Sequence, residues 1–422
     1  MTSPDALARR LGTGDAVVVG LGSMIGAGVF SAWGPAAAAA GGALLIGLVV
    51  AAGVAYCNAV ASAQLAAQYP TSGGTYVYGR ERLGPIWGFL AGWGFVIGKT
   101  ASSAAMALTF AAYLVPEPGL WQRLLALAVV VALTAVNYRG ITRTARLARA
   151  LVFLSLAALL TFVLVTALGL AGGQGTAAAA AGTGAYGVLQ SAGLLFFAFA
   201  GYARIATLGE EVRDPSRTIP RAIPLALGIT VAIYFAVGLA ALAAAGPANL
   251  AASSRPLATA VEAAGAPWAL PVVQAGAAVA SLGALLALIA GVGRTSLAMA
   301  RNGDLPGWLA SVHPRHRVPD HAELAVGVAV GVLVLASDLR GAIGFSSFGV
   351  LVYYAIANAA AFTQRPAQRR WPRALNAAGL AGCLTLVITL PFQAVLAGVL
   401  MFGIGLAGRG IVGRLRAVAA PA

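Results

Sequence analysis

Charge is what this sequence has least of. Only 9% of its 422 residues are Asp, Glu, Lys or Arg, where a water-soluble domain carries roughly 25%. Its surface therefore faces something other than water. The acidic residues are few, and each falls at a terminus, in a loop or near the end of an apolar run. No carboxylate stands in the middle of a run to hold a cationic head group. Cysteine is scarce too. Cys57 and Cys383 both lie within apolar runs, which excludes a disulfide framework and leaves buried packing as their reading. His313, His316 and His321 share one loop at a spacing that fits no zinc pattern. No catalytic dyad stands inside an apolar run. Catalytic residues, metal and cofactor are all expected to be absent, and the chain is not expected to be an enzyme.

What is present is apolar sequence, 60% of the chain. A membrane span needs roughly 20 apolar residues, because the hydrocarbon core is ~30 Å thick and a helix rises ~1.5 Å per residue. Runs of that size predict about twelve spans, near 15–39, 43–67, 85–115, 122–136, 147–170, 186–204, 221–245, 270–298, 321–336, 341–362, 375–392 and 394–412. The fourth and ninth are short, and only Pro391 and its neighbours separate the last two.

The net charge of +15 invites a nucleic-acid partner, but its distribution rejects one. Arginines gather in the N-terminus and in every second loop, as at Arg80, Arg82, Arg139, Arg213, Arg217, Arg301, Arg369 and Arg370. The other loops hold only Arg123, Arg255 and Arg340. Such asymmetry predicts a multi-pass protein of the cell membrane with both termini cytoplasmic. The lipid bilayer is the expected partner, and the sequence says nothing of oligomeric state. The small-residue stretch between Gly169 and Gly184 reads as an external linker.

Two spans are weakened in matching places. The first contains Gly20, Gly22, Gly26 and Gly28, each worth roughly 1 kcal/mol of helix stability relative to alanine. Loosened backbone in lipid is tolerated where it lines a cavity or is buried in protein. There its N–H groups could meet a carboxylate, helped by the positive end of the next half-helix. The sixth span reads Phe196-Phe197-Ala198-Phe199-Ala200-Gly201-Tyr202. A break at Gly201 would free carbonyls for an ammonium group. Close helix packing at small residues is the other reading of both stretches.

Lys99 falls near the middle of the third span. A charge there costs roughly 2.5–3.5 kcal/mol on insertion scales, which makes it a functional candidate. It could bind an anionic substrate side chain as a fixed cation, or gain and lose a proton during a cycle, or donate to helix carbonyls for packing alone. Arg204, just past the sixth-span glycine, reads as the partner of Glu210 or Glu211.

The run Gly22-Ser-Met-Ile-Gly-Ala-Gly-Val-Phe30 resembles the first-helix signature of the amino acid–polyamine–organocation (APC) superfamily. Tyr69 to Tyr78 with Leu83-Gly84-Pro85, Phe196 to Pro220, and Met299 to Pro306 are similar to three further motifs of that family, in the same order. The resemblance implies an all-α integral membrane fold: a five-plus-five inverted repeat of the LeuT type with two extra C-terminal helices. It divides the chain into an N-terminus (1–14), a first repeat (15–170), a second repeat (186–362), two added spans (375–412) and a C-terminus (413–422). It implies an α-amino acid substrate whose carboxylate meets backbone amides at Gly26, Ala27 and Gly28, next to Ile25. Its ammonium would meet carbonyls at Phe197, Ala198 and Ala200, with Phe197 as an aromatic gate. The third helix would add contacts near Gly98, Lys99 and Ser103. The match departs from the family at Gln64, where many members carry an acid, and at Ser155, where some proton-driven relatives carry a lysine.

The reading is a secondary active amino acid permease working by alternating access, with a neutral amino acid favoured and a proton as the coupling ion. Lys99 and Ser155 are the coupling candidates. Ser281 stands without a hydroxyl neighbour in the eighth span, which weakens a sodium site. Exchange, export, and an acidic amino acid or amine bound through Lys99 remain open alternatives.

Overall fold

The structure, a computed structural model, describes residues 11–70, 73–140, 145–173, 184–208 and 211–419. The first ten residues, most of the small-residue linker, and Glu210 lie outside the described residues. The first span is not one helix: α1 (Thr13–Met24) ends, and α2 (Gly28–Ser31) and α3 (Trp33–Ala40) resume. Then come α4 (Leu44–Gln68), the short polar α5 (Gly74–Leu83), α6 (Pro85–Leu114), α7 (Leu120–Tyr138) and α8 (Ala145–Ala171). The sixth span is again in two pieces, α9 (Gly184–Phe199) and α10 (Ala203–Ala206). Helix α11 (Pro215–Ala252) kinks at Gly246, whose φ is 71°. The chain continues through α12 (Pro256–Ala263), α13 (Leu270–Arg301), α14 (Asp320–Ala336), α15 (Leu339–Phe362), α16 (Arg373–Thr389) and α17 (Phe392–Ala419).

All twelve expected spans are helical, with bounds shifted by a few residues. Among the described residues, nine helical stretches are long and apolar enough to cross a membrane. Two more, Gly184–Phe199 and Arg373–Thr389, are shorter apolar helices, and α14 completes the set. Proline and glycine punctuate the chain. Pro85 opens α6 after Gly84, whose φ of 104° only glycine adopts easily. Pro391 stands between α16 and α17 and ends the preceding helix.

The helices sort by what they touch. In α6 the most apolar window is 94% buried inside the protein, and in α17 only 11%. Helix α6 is thus the central post, packed against α13 and α15, and α17 is peripheral. Contact with α15 is close because it is made of glycine: a Cβ on Gly349 would lie 2.8 Å from the Gly98 Cα. On the outside, Leu324, Val328, Val332 and Leu335 line one face of α14 and are exposed. So are Phe153, Leu160, Leu164 and Leu168 of α8. Such stripes are lipid-facing surface. Trp87, Trp121 and Trp268 are exposed near helix starts, where a membrane interface favours tryptophan. Several hydroxyls inside the spans bond back to their own helix, as Thr109 to Ala105 O and Thr230 to Ala226 O, which satisfies them without water.

Candidate substrate site at two helix breaks

The first interruption is an inverse γ-turn. Ile25 has φ −79° and ψ 64°, close to the ideal for that turn, and the Gly26 N–H donates to Met24 O at 2.8 Å. The chain then re-enters a helix at Gly28. It runs through Ala32, whose N–H donates to Gly28 O, into α3. The amides of Ala27 and Gly28 therefore open a helical run, where N–H groups have no partner within the helix.

The second interruption spans Ala200–Tyr202. An α-helix would close a bond from the Arg204 N–H to Ala200 O. That N–H goes to Gly201 O instead, at 3.0 Å. The Ala200 carbonyl is released, and it accepts from the Lys99 ammonium at 3.1 Å and from the Tyr354 hydroxyl at 3.4 Å.

The two interruptions touch each other in the interior. A Cβ on Gly201 would stand 2.2 Å from Ser23 O, and one on Gly28 would stand 2.7 Å from the Ala198 Cα. Both glycines are needed because backbone meets backbone there. Tyr234 of α11 lies across the junction. Its hydroxyl hydrogen faces Met24 O at 2.6 Å and Ala198 O at 3.0 Å, the carbonyls at the ends of the two interrupted helices. Its ring packs edge-on against Trp33 and tilted against Phe199. Tyr113 repeats the device on the other side of the break, donating to Phe30 O at 2.7 Å.

The expected site residues fall into two groups. Ile25, Gly26, Ala27, Gly28, Lys99, Phe197, Ala198 and Ala200 gather at this junction, all buried. Met106 and Ala284 stand beside Gly26, so the side-chain environment there is apolar. Gly98 belongs to the contact of α6 with α15. Ser103 turns its hydroxyl back to Lys99 O at 2.9 Å. Ser155 is buried in α8 and donates to Leu151 O at 2.9 Å. The Ser281 hydroxyl is buried with no hydrogen-bond partner among the described residues. Arg204 is exposed and reaches Thr207 Oγ1 at 3.5 Å. Gln64 is tied to Asn376 at 3.3 Å. The Cys383 thiol donates to Asn58 Oδ1 at 3.3 Å.

Tyr234, Tyr354 and Met106 were not legible from the motifs. The one signal available for the tyrosines was a phenol in mid-span, which needs a partner when buried. A second buried cluster was also missed. Asp304, in the loop after α13, accepts from Arg409 Nε at 2.8 Å, Arg80 Nη1 at 3.3 Å and the Tyr76 hydroxyl at 2.8 Å. Burial, with Asp304 beside it, pushes the Tyr76 phenol up to about 12, so it stays a donor. The guanidinium of Arg409 also lies over the Phe89 ring, 5.3 Å from its centre. His313 and His316 pack with Tyr138. Among the described residues no group of His, Cys, Asp or Glu could hold a metal ion.

An all-helical membrane protein built round two facing helix interruptions is a substrate carrier by architecture. The family model for amino acid permeases matches residues 11–407, and the chain belongs to that family. It is a transporter and not an enzyme. An uncharacterized transporter of Mycobacterium tuberculosis is 61% identical over 410 residues, covering 97% of this chain and 92% of its own length. The branched-chain amino acid permease BcaP of Bacillus subtilis is 27% identical over 430 residues, with 95% and 92% covered. Human cationic amino acid transporter 4 is 29% identical over 377 residues, with 84% of this chain and 59% of its own length covered.

Proposed function

We propose that this permease carries neutral amino acids across the cell membrane by alternating access, coupled to protons. The substrate carboxylate meets the amides of Ala27 and Gly28, beside the turn at Gly26, and its ammonium meets carbonyls of Phe197, Ala198 and Ala200. Phe197 closes over it. The observation that carries this reading is the junction itself. Released peptide dipoles of opposite sign lie side by side in the protein interior, and a zwitterion is their complement. The two repeats, 15–170 and 186–362, rock about the junction, and both termini stay in the cytoplasm.

The apolar surroundings of Gly26 favour a neutral side chain. Of the relatives named above, BcaP is named for a substrate, a branched-chain amino acid, that suits such a lining. Protons are favoured over sodium because Ser281 stands in the middle of the eighth span with no neighbouring hydroxyl in that span to share an ion. Lys99, the one buried cation among the described residues, supports a second reading: an acidic amino acid whose side-chain carboxylate meets Lys99, carried by uptake, export or exchange.

Reconstituted protein should show saturable uptake or counterflow of at least one member of a panel of all twenty radiolabelled amino acids, sensitive to a pH gradient. Liposomes that move none of the twenty, in either direction, would sink the reading.

A further inference from the structure

We infer that Lys99 is a tethered substitute for the substrate amine, and that the amine displaces it with loss of one proton, so that the carrier exchanges substrate against a proton. This rests on the site proposed above and adds the sense of its coupling.

The Lys99 ammonium occupies the carbonyl of Ala200, which the sixth-span interruption releases from its helix. Both residues are buried. No carboxylate balances the ammonium: among the described residues the ion pairs are Arg80–Asp304, Arg409–Asp304, Arg217–Asp214 and Arg255–Glu262. Phenols stand around the Ala200 carbonyl. Tyr354 of α15 shares it as an acceptor, and Tyr202 and Tyr353 pack against the Tyr354 ring. Arg204 turns away to Thr207.

The carbonyl that holds Lys99 is one of those assigned to the substrate ammonium. Two ammonium ions on one buried oxygen repel strongly where water cannot screen them. The lysine alone can relieve this without losing the ligand, because it can give up a proton and the amine of a zwitterion brings its own counter-charge. The balance is simple. The ammonium of Lys99 becomes a neutral amine, and its proton leaves to water on the side from which the substrate came. The substrate ammonium takes the Ala200 carbonyl and the protein changes its open side. When the substrate departs, Lys99 takes a proton from that second side and returns to Ala200. In each cycle one substrate crosses one way and one proton the other. The junction holds one cation in both halves of the cycle, so the closed state is reached either loaded or empty.

Titration calorimetry on the full-length protein, in two buffers of different ionisation heat, tests this with whichever of the twenty amino acids binds best. The expected result is about one proton released per amino acid bound, with affinity rising about tenfold per pH unit while Lys99 is charged in the empty carrier. In liposomes an acidic interior should speed substrate entry and an acidic exterior should slow it. Lys99→Met should bind without proton release and ignore the gradient. Should that variant fail to fold, the wild-type proton count and the sign of the gradient effect still decide. Binding without proton release, or entry driven by an acidic exterior, overturns the inference and leaves the permease reading standing. Binding of none of the twenty overturns both.

Discussion

Helix α6 passes two buried charges that are treated in opposite ways. Just before it begins, Arg80 meets Asp304 together with Arg409 and Tyr76. Near its middle, Lys99 meets a backbone carbonyl that also accepts from a phenol, with no opposing charge. In the first cluster every acidic oxygen has a donor. Such a set is costly to open, and it fastens α5, the loop after α13, and α17 together. In the second, the ammonium rests on a neutral dipole that another donor could take. A compensated charge holds a structure still, and an uncompensated one is ready to be exchanged.

That contrast can be broken by experiment. Asp304→Asn should have the largest effect. It leaves two partly exposed guanidinium groups without their shared carboxylate, which costs about 3 kcal/mol, so thermal unfolding should fall below wild type, and amino acid affinity should stay unchanged in the protein that folds. A variant with wild-type melting would show the cluster to be ornamental. Gly201→Ala comes next. Its Cβ would overlap Ser23 O, and displacing one interruption against the other should cut initial uptake by ~100-fold, the scale of a 1 Å misplacement. Uptake near the wild-type rate would show that the backbones need not touch.

Tyr234→Phe is milder. It leaves Met24 O and Ala198 O without their shared donor, a loss of ~1–3 kcal/mol. Turnover should fall more than affinity, because the hydroxyl ties the two interrupted helices rather than the substrate. Equal losses in both would place Tyr234 on the substrate instead. Cys383→Ala should change least. It removes a weak donor to Asn58, costs about 1 kcal/mol, and should leave uptake untouched, which a transport assay with thiol reagents would check.

The site was only partly legible beforehand. Glycines at 26, 28 and 201 marked the interruptions because a missing side chain is a local property that sequence displays directly. Lys99 was marked by its isolation in an apolar run. Ser103 and Gly98 were drawn from the family resemblance. The structure gives the hydroxyl of Ser103 to its own helix and Gly98 to the packing of α15. Tyr234 was invisible because its meaning lies in two carbonyls on other helices, far away in sequence.

Sequence by itself determined that this chain lives in lipid, where its spans fall, and which two of them are weak. Those properties follow from hydrophobicity, span length and helix propensity, which act over one or two turns. Tertiary structure alone decided that the two weak points touch, that Lys99 rests on the carbonyl one of them releases, and that Asp304 gathers Arg80 and Arg409. Each of these needs residues from separate helices within 3–4 Å of one another, and only the packing of the whole bundle sets such distances.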